Sequence, residues 1–542
     1  MSSFDWIILC VTLTGIVLYG IYKSRTSKNL EGYFLSNRSL PWYLVLLSIM
    51  GTQASAITFL TGPGQAYSDG MRFVQYYFGL PLAMIVISIF FVPVYNRLKV
   101  YTAYEFLENR FDLKTRTLTS FLFLLSRGLS TGISIFAPSI VLSSLMGWNI
   151  YYTNLVMGGI LIIYTMSGGA KAVAHTQKLQ MIIVFIALFI VGYLAVSLLP
   201  DAIGFTDALQ KSGEMGKMNI ITTGFTEDGF DWKDKYNIWS GLIGGFFLAL
   251  SYFGTDHSQV GRYLTAKDLK ESRRGLLMNG MVKVPMQFFI LLLGILIFSF
   301  YQFNKAPIYF DQAKVTVAKE TSYKGALIDL ETRYDAAIAA TDITQAKVLR
   351  GEYRTVLQAA LPGQDTNDNN YIFLRFVMDY LPTGLIGLII AIIFLASWGS
   401  IAAALNSLAA VTVVDFHKKF FIKEKTEQQD YRISQWYTFG WGVFCIIIAM
   451  FAQNIGNSLI EAVNILGSLF YGVILGIFLV ALGMKFIKGH AVFYAAVVSE
   501  ILVIFIYQQE IVSFLWLNAI GAILVMLFAS LFQIFAKQKK LE

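Results

Sequence analysis

The chain has 542 residues, of which 56% are hydrophobic and only 14% charged, with a mean hydropathy of +0.60. An ordinary soluble protein carries about 25% charged residues, so a set of soluble domains is excluded and a polytopic membrane protein is indicated. The net charge of +8 does not argue for nucleic acid, because the basic residues fall in short loops where orientation in a membrane explains them.

Apolar stretches of about 18 residues or more give thirteen spans, at 4–23, 41–65, 73–98, 117–145, 149–167, 176–199, 237–262, 273–303, 382–416, 432–453, 457–486, 489–508 and 512–536. The first lacks a basic leader and a small-residue cleavage site, so it reads as a retained helix. Cys10 and Cys445 lie within apolar spans and describe neither a disulfide framework nor a metal site. Basic loops fall at every second connection: Lys23 to Arg38, Arg97 to Arg116, Lys171 to Lys178, Arg262 to Arg274, His417 to Arg432, Lys485 to Lys488 and the tail at Lys537. The positive-inside rule makes these cytoplasmic, with the N-terminus outside and the C-terminus inside. A polar insertion at 304–371, helix-compatible from Ala326 to Leu357, reads as a solvated cap on the outer side.

Span 2 carries Gly51-Thr52-Gln53-Ala54-Ser55-Ala56 at its centre, where a plain span would hold Leu and Ile. Small and hydroxylated residues there predict a helix that loosens near the midplane. Loosening frees backbone carbonyls, which need a partner in hydrocarbon, and a hard cation takes oxygen ligands. Close helix packing is the competing reading. Span 7 is similar, with Gly244-Gly245 early and Gly254-Thr255-Asp256-His257 late. The two interrupted spans are five apart, and an odd offset reverses direction across the membrane. Spans 2–6 and 7–11 thus read as inverted five-helix repeats, the layout of LeuT-like transporters, whose sites lie where the broken helices meet. The expected division is 1–40, first helix and loop; 41–199, first repeat; 237–486, second repeat with the insertion; and 487–542, two final helices and a tail.

Ionisable groups inside spans are costly and mark function. Here they are Arg127, Lys283, Glu461 and Asp256, with His257 as a titratable neighbour and Asn464 one turn further in from Glu461. Ion pairing or snorkelling is the competing account for each. Span 9 offers the Ser400 hydroxyl beside Gly399.

Five segments carry a resemblance: FVPVYNRLKVYTAYEFLENRF (91–111), TGISIFAPSIVLSSLMGWN (131–149), SGGAKAVAHTQKLQ (167–180), YFGTDHSQVGRYLTAKDLKESRRG (252–275) and LNSLAAVTVVDF (405–416). Jointly they resemble the sodium/solute symporter family over about residues 4–536, nearest the monocarboxylate, multivitamin and iodide branch and more distantly the sodium/glucose symporters. The resemblance implies a sodium ion held by the carbonyls of Gly51 and Ala54 and by oxygens at Ala396, Gly399 and Ser400. Two positions depart from it. Gly399 stands where the family has a first hydroxyl residue, and Gln177 stands where it has Asp, close to the sodium site. For substrate, Thr58, Tyr77 and Ala249 differ from the sugar-transporting relatives, Lys283 is kept, Tyr252 matches the tyrosine that covers the substrate from within, and Asn464 falls at a polar substrate position. The candidate substrate residues are Gln53, Thr58, Tyr77, Arg127, Tyr252, Asp256, Lys283, Glu461 and Asn464. Arg127 and Lys283 suit a carboxylate, and Glu461 is available to neutralise one of them.

The reading is an all-α, multi-pass cell-membrane symporter, not an enzyme, importing a small organic solute with sodium by alternating access. An organic anion is favoured. A monosaccharide symporter, a proton-coupled transporter (from Gln177 and His257) and a transporter-fold sensor stay open. The partners implied are the solute and the lipid bilayer; neither nucleic acid nor a partner protein is indicated.

Overall fold

The computed structural model describes residues 1–24, 30–340, 342–364, 366–421, 426–452 and 458–538. Among these, ten helices are long and apolar enough to cross a membrane, or eleven when one bent pair counts as a single span. Two of the thirteen expected spans, 149–167 and 237–262, correspond to the shorter apolar helices Ile150–Met166 and Ser240–Gly254, so length and composition alone do not return thirteen.

Ile150–Met166 is the first part of a 48-residue helical run, Ile150–Ser197. Laid straight at 1.5 Å per residue, such a run would extend roughly 72 Å, more than twice the roughly 30 Å hydrocarbon core. Contacts show how it is accommodated. Leu385–Phe421 and Glu427–Phe451 form an antiparallel hairpin, since Trp441 Nε1 donates to Thr412 Oγ1 at 2.9 Å and His417 Nδ1 meets the Tyr437 hydroxyl at 3.0 Å. Asn154 Nδ2 donates to the Ala449 carbonyl, and Gln435 Nε2 to that of Met166. Further along, Gln177 reaches Gly399, and Leu188 and Val191 line a small apolar gap with Ile389 and Ile392. The two parts of the run therefore follow the hairpin in opposite senses.

The bent pair is Trp42–Gln53 and Ala56–Asp69, at 61° to one another. Ala54 (φ −84°, ψ 79°) and Ser55 (φ −85°, ψ 177°) leave the helical region. A second break separates Gly245–Gly254 from His257–Tyr263. There Thr255 (φ −130°, ψ −25°) ends one helix and Asp256 (φ −72°, ψ 116°) caps the next, its Oδ1 accepting the Ser258 N–H at 2.8 Å. Asp is a strong N-cap because its side chain satisfies a backbone donor that the helix start leaves open.

The insertion folds on itself. Lys324–Ala339 and Ile343–Ala360 pack through Leu327, Leu330 and Tyr334 against Leu349, Tyr353 and Leu357, one face of each helix by spacing. This cap rests on the Ala56–Asp69 helix. A Cβ at Gly64 would lie 2.0 Å from the Asn369 carbonyl oxygen, so only glycine permits the approach, and Ser68 Oγ donates to Asn369 Oδ1 at 2.7 Å. The opposite end of the bundle is tied by charge. Arg116 pairs with Glu108 and Asp415, and Lys419 donates to Glu108 at 2.9 Å.

Candidate functional site

The first break leaves particular carbonyls without helical partners. In an unbroken helix the Ser55 N–H would reach Gly51 and the Thr58 N–H would reach Ala54. Instead Ser55 donates to Gln53 at 3.1 Å and Thr58 to Ser55 at 3.0 Å. The Gly51 and Ala54 carbonyls are thus both released by the two residues that break the helix.

Facing them is Leu385–Val411, whose Ala396 to Ser400 stretch is buried. Ser400 Oγ donates to the Ser397 carbonyl at 3.0 Å, while Ser397 Oγ has no hydrogen-bond partner among the described residues. Gln177 is fully buried between these helices. Its Oε1 accepts from Ser48 Oγ at 2.8 Å, and its Nε2 donates to Thr52 Oγ1 at 3.2 Å and to the Gly399 carbonyl at 3.1 Å. The amide uses both its donor and its acceptor ends to tie the broken helix to Leu385–Val411, work a carboxylate could not do because it has no N–H. A Cβ at Gly399 would meet Gln180 Oε1 at 2.5 Å and Gln177 Cγ at 3.2 Å. The two departures at 177 and 399 are therefore neighbours in the fold, joined by the Gln177 hydrogen bond to the Gly399 carbonyl, and a side chain at 399 would need Gln180 to swing aside and Gln177 to give slightly. Oxygen donors remain in quantity, so the residues present fit a hard monovalent cation.

Beside this lies a cavity of about 120 Å³. Of the candidate substrate residues, Gln53, Thr58, Tyr77, Arg127, Tyr252, Lys283 and Asn464 line it, together with Ser400. Asp256 and Glu461 do not. Asp256 sits behind Arg127, its Oδ2 accepting from Arg127 Nη2 at 2.5 Å and from the Tyr471 hydroxyl at 2.9 Å, and its Oδ1 from Ser258 Oγ at 2.6 Å. Glu461 faces a different pocket and pairs with Lys235. The expected neutralisation of Arg127 by Glu461 is thus corrected to Asp256: Glu461 and Asn464 share a helix, but only Asn464 turns into the cavity.

Arg127 lies over the Tyr252 ring, 5.3 Å from its centroid. Tyr252 is fixed in turn by Gln259, whose Nε2 donates to the tyrosine oxygen at 2.7 Å. Lys283 is different. Its side chain is 1% exposed and its Nζ stands 5.6 Å from the Tyr77 centroid, a cation–π contact, with no carboxylate in ion-pair range among the described residues. Asn464 Oδ1 accepts from the Tyr76 hydroxyl at 3.1 Å, leaving its buried Nδ2 without a partner among the described residues. The sequence reading missed Tyr76, Thr131, Ser134 and Tyr471. Thr131 and Ser134 follow Arg127 on its helix at roughly one-turn spacings and were within reach of a helical-face argument; Tyr76 and Tyr471 were not.

A family model described as the sodium:solute symporter family matches residues 33–332 and 345–499. A sodium-dependent multivitamin transporter of Oryctolagus cuniculus is 27% identical over 498 residues, covering 90% of this chain and 67% of the relative. A sodium/sialic acid symporter of Aliivibrio fischeri is 23% identical over 529 residues, covering 97% and 92%. Among solved structures, the substrate-bound outward-open state of a Na⁺-coupled sialic acid symporter superposes with a TM-score of 0.79 at 21% identity, over 98% of each chain. At that identity the likeness speaks for a common fold.

Proposed function

Since the chain belongs to the sodium:solute symporter family, we propose that it carries a small organic anion inward together with sodium. It is a multi-pass membrane transporter and not an enzyme. The observation that carries the choice of solute is Lys283, a buried lysine facing the cavity with no carboxylate in ion-pair range among the described residues. Burying an unpaired charge is costly, and an anionic solute supplies the missing partner. Arg127 does not play this part, because Asp256 already neutralises it. Sialic acid, the solute in the name of one relative, is itself an acid.

Sodium binds between the released carbonyls of Gly51 and Ala54 and the oxygens of Ala396 and Ser400. Gly399 contributes no side chain, and Ser397 Oγ, which has no hydrogen-bond partner among the described residues, is available to substitute. The ion favours one angle of the broken helix, and the solute closes the cavity above it; alternating access follows from a ligand binding one conformer better than the other. The chain crosses the membrane thirteen times, with its N-terminus and cap outside, a reading supported by the alternation of basic loops. Uptake into proteoliposomes over a panel of carboxylates, sugars and neutral amides, with and without a sodium gradient, tests the proposal. Sodium-driven uptake of carboxylates alone is expected; sugar uptake uninhibited by any carboxylate would refute the choice of solute.

A further inference from the structure

A second cavity, of about 830 Å³, lies between the cap and the far end of the Ala56–Asp69 helix. That is within the size range of small-molecule sites. Aromatic side chains form much of its wall: Tyr67, Phe298, Tyr301 and Tyr334. Tyr67 meets Phe298 and Tyr301 edge-on, at centroid distances of 5.4 and 6.2 Å, so these rings hold one another in place.

The charges around it do not balance. Lys217, Lys305, Lys347, Arg350 and Arg354 line the chamber against a single carboxylate, Asp368. Lys305 is occupied by Asp335 at 2.7 Å. Arg350 and Arg354 share Asp368, at 3.9 and 2.6 Å, and that carboxylate also accepts the Phe310 N–H at 2.8 Å. Lys217 Nζ donates to the Ser68 carbonyl at 2.6 Å and stands 5.2 Å from the Phe298 centroid, but neither it nor Lys347 has a carboxylate in ion-pair range among the described residues. Burial holds the Lys217 ammonium below the ordinary lysine value; the field of Lys347 adds to this and Asp69 opposes it. Two ammonium groups thus feel one another across a partly apolar space in which neither is ion-paired to a carboxylate among the described residues.

We propose that this chamber is a second binding site, for a small carboxylate with an aromatic or apolar body, lying outside the central cavity. The rings take the body of the ligand, and Lys217 and Lys347 take its carboxylate as charge-assisted donors. Its place on the outer side rests on the orientation proposed above; its ligand chemistry does not depend on which solute crosses the membrane. The chamber touches the broken helix through Tyr67 and Ser68, so its occupancy is felt by the element that also builds the central site.

A thiol placed in the wall reports on it. Gly351 lines the chamber, and a Cβ there meets nothing within 4 Å, so Gly351→Cys in a Cys10→Ser background places a reactive group without disturbing the cap. The full-length protein in detergent is treated with a small neutral thiol reagent, with benzoate as the probe and benzamide as its uncharged control. At about ten times its Kd, benzoate is expected to slow modification about tenfold, because only the unliganded protein reacts. Benzamide leaves the rate unchanged, and Lys217→Gln with Lys347→Gln abolishes the protection. The protection survives Lys283→Gln, which separates this chamber from the central cavity and keeps the test independent of the proposed function. Equal protection by benzamide, no protection by benzoate, or loss of protection in Lys283→Gln would each overturn the proposal.

Discussion

Arg127→Gln tests whether the guanidinium belongs to the fold or to the solute. The side chain is 11% exposed and its partner Asp256 is 1% exposed, so removing it strands a buried carboxylate. Breaking a buried pair in this way costs about 3–5 kcal/mol. The low end of that range applies, because Asp256 keeps three donors: the Tyr471 hydroxyl, the Ser258 N–H and Ser258 Oγ. Asp256→Asn retains an N-cap side chain but strands the guanidinium, which keeps its contact with the Tyr252 ring and no ion pair among the described residues. The double change Arg127→Gln with Asp256→Asn removes both charges and is expected to recover most of the stability, so the single effects are far from additive. Apparent Tm values in detergent for the wild type, both single variants and the double variant measure this, beside binding of a labelled carboxylate. Additive losses would refute the pair as a structural unit. An Arg127→Gln protein as stable as wild type but unable to bind the carboxylate would show that Arg127 holds the solute directly.

Lys283→Gln removes the amine that faces the cavity. Losing a charge-assisted hydrogen bond costs about 1.5–3 kcal/mol, so KM for an anionic solute is expected to rise by roughly 10- to 150-fold; an unchanged KM would remove Lys283 from the site. Ser400→Ala is expected to raise the sodium concentration for half-maximal uptake, by about 1–3 kcal/mol of lost coordination, with solute KM at saturating sodium altered less. Gln177→Asp sets a carboxylate near the cation but discards the donors to Thr52 and Gly399, so tighter sodium binding and lower thermal stability are expected together; weaker sodium binding would contradict the placement of the ion. At the basic-loop end, burial pushes the Glu108 carboxyl up, but Lys419 and Arg116 outweigh it and hold the group below the ordinary carboxylate value. The stability this contributes is complete above the unfolded-state pKa and is lost as pH falls through the lowered one, so Glu108→Gln should flatten the acid limb of a Tm-against-pH profile.

Much of the architecture was legible in the chain itself. Hydropathy marked the spans because a helix in hydrocarbon must be apolar along its whole length, and the breaks at Ala54-Ser55 and Thr255-Asp256 stood out as polar and small residues within such runs. That local information marked where carbonyls are freed, but the choice of the Gly51 and Ala54 carbonyls came from the resemblance to the symporter family. The sequence marked Arg127, Asp256, Lys283 and Glu461 as costly without deciding who satisfies whom. Arg127 and Asp256 are 129 residues apart, and Lys235 and Glu461 are 226 apart, and no local pattern relates them. Packing decided that Glu461 turns to a loop lysine, that Asp256 backs Arg127, and that Lys283 is left facing the cavity. It also joined Gln177 to Gly399, two departures that look independent along the chain and are neighbours in the fold. Hydropathy and helix-breaking residues act on their own segment, whereas a buried charge is satisfied only by whatever group the tertiary fold brings within hydrogen-bonding distance.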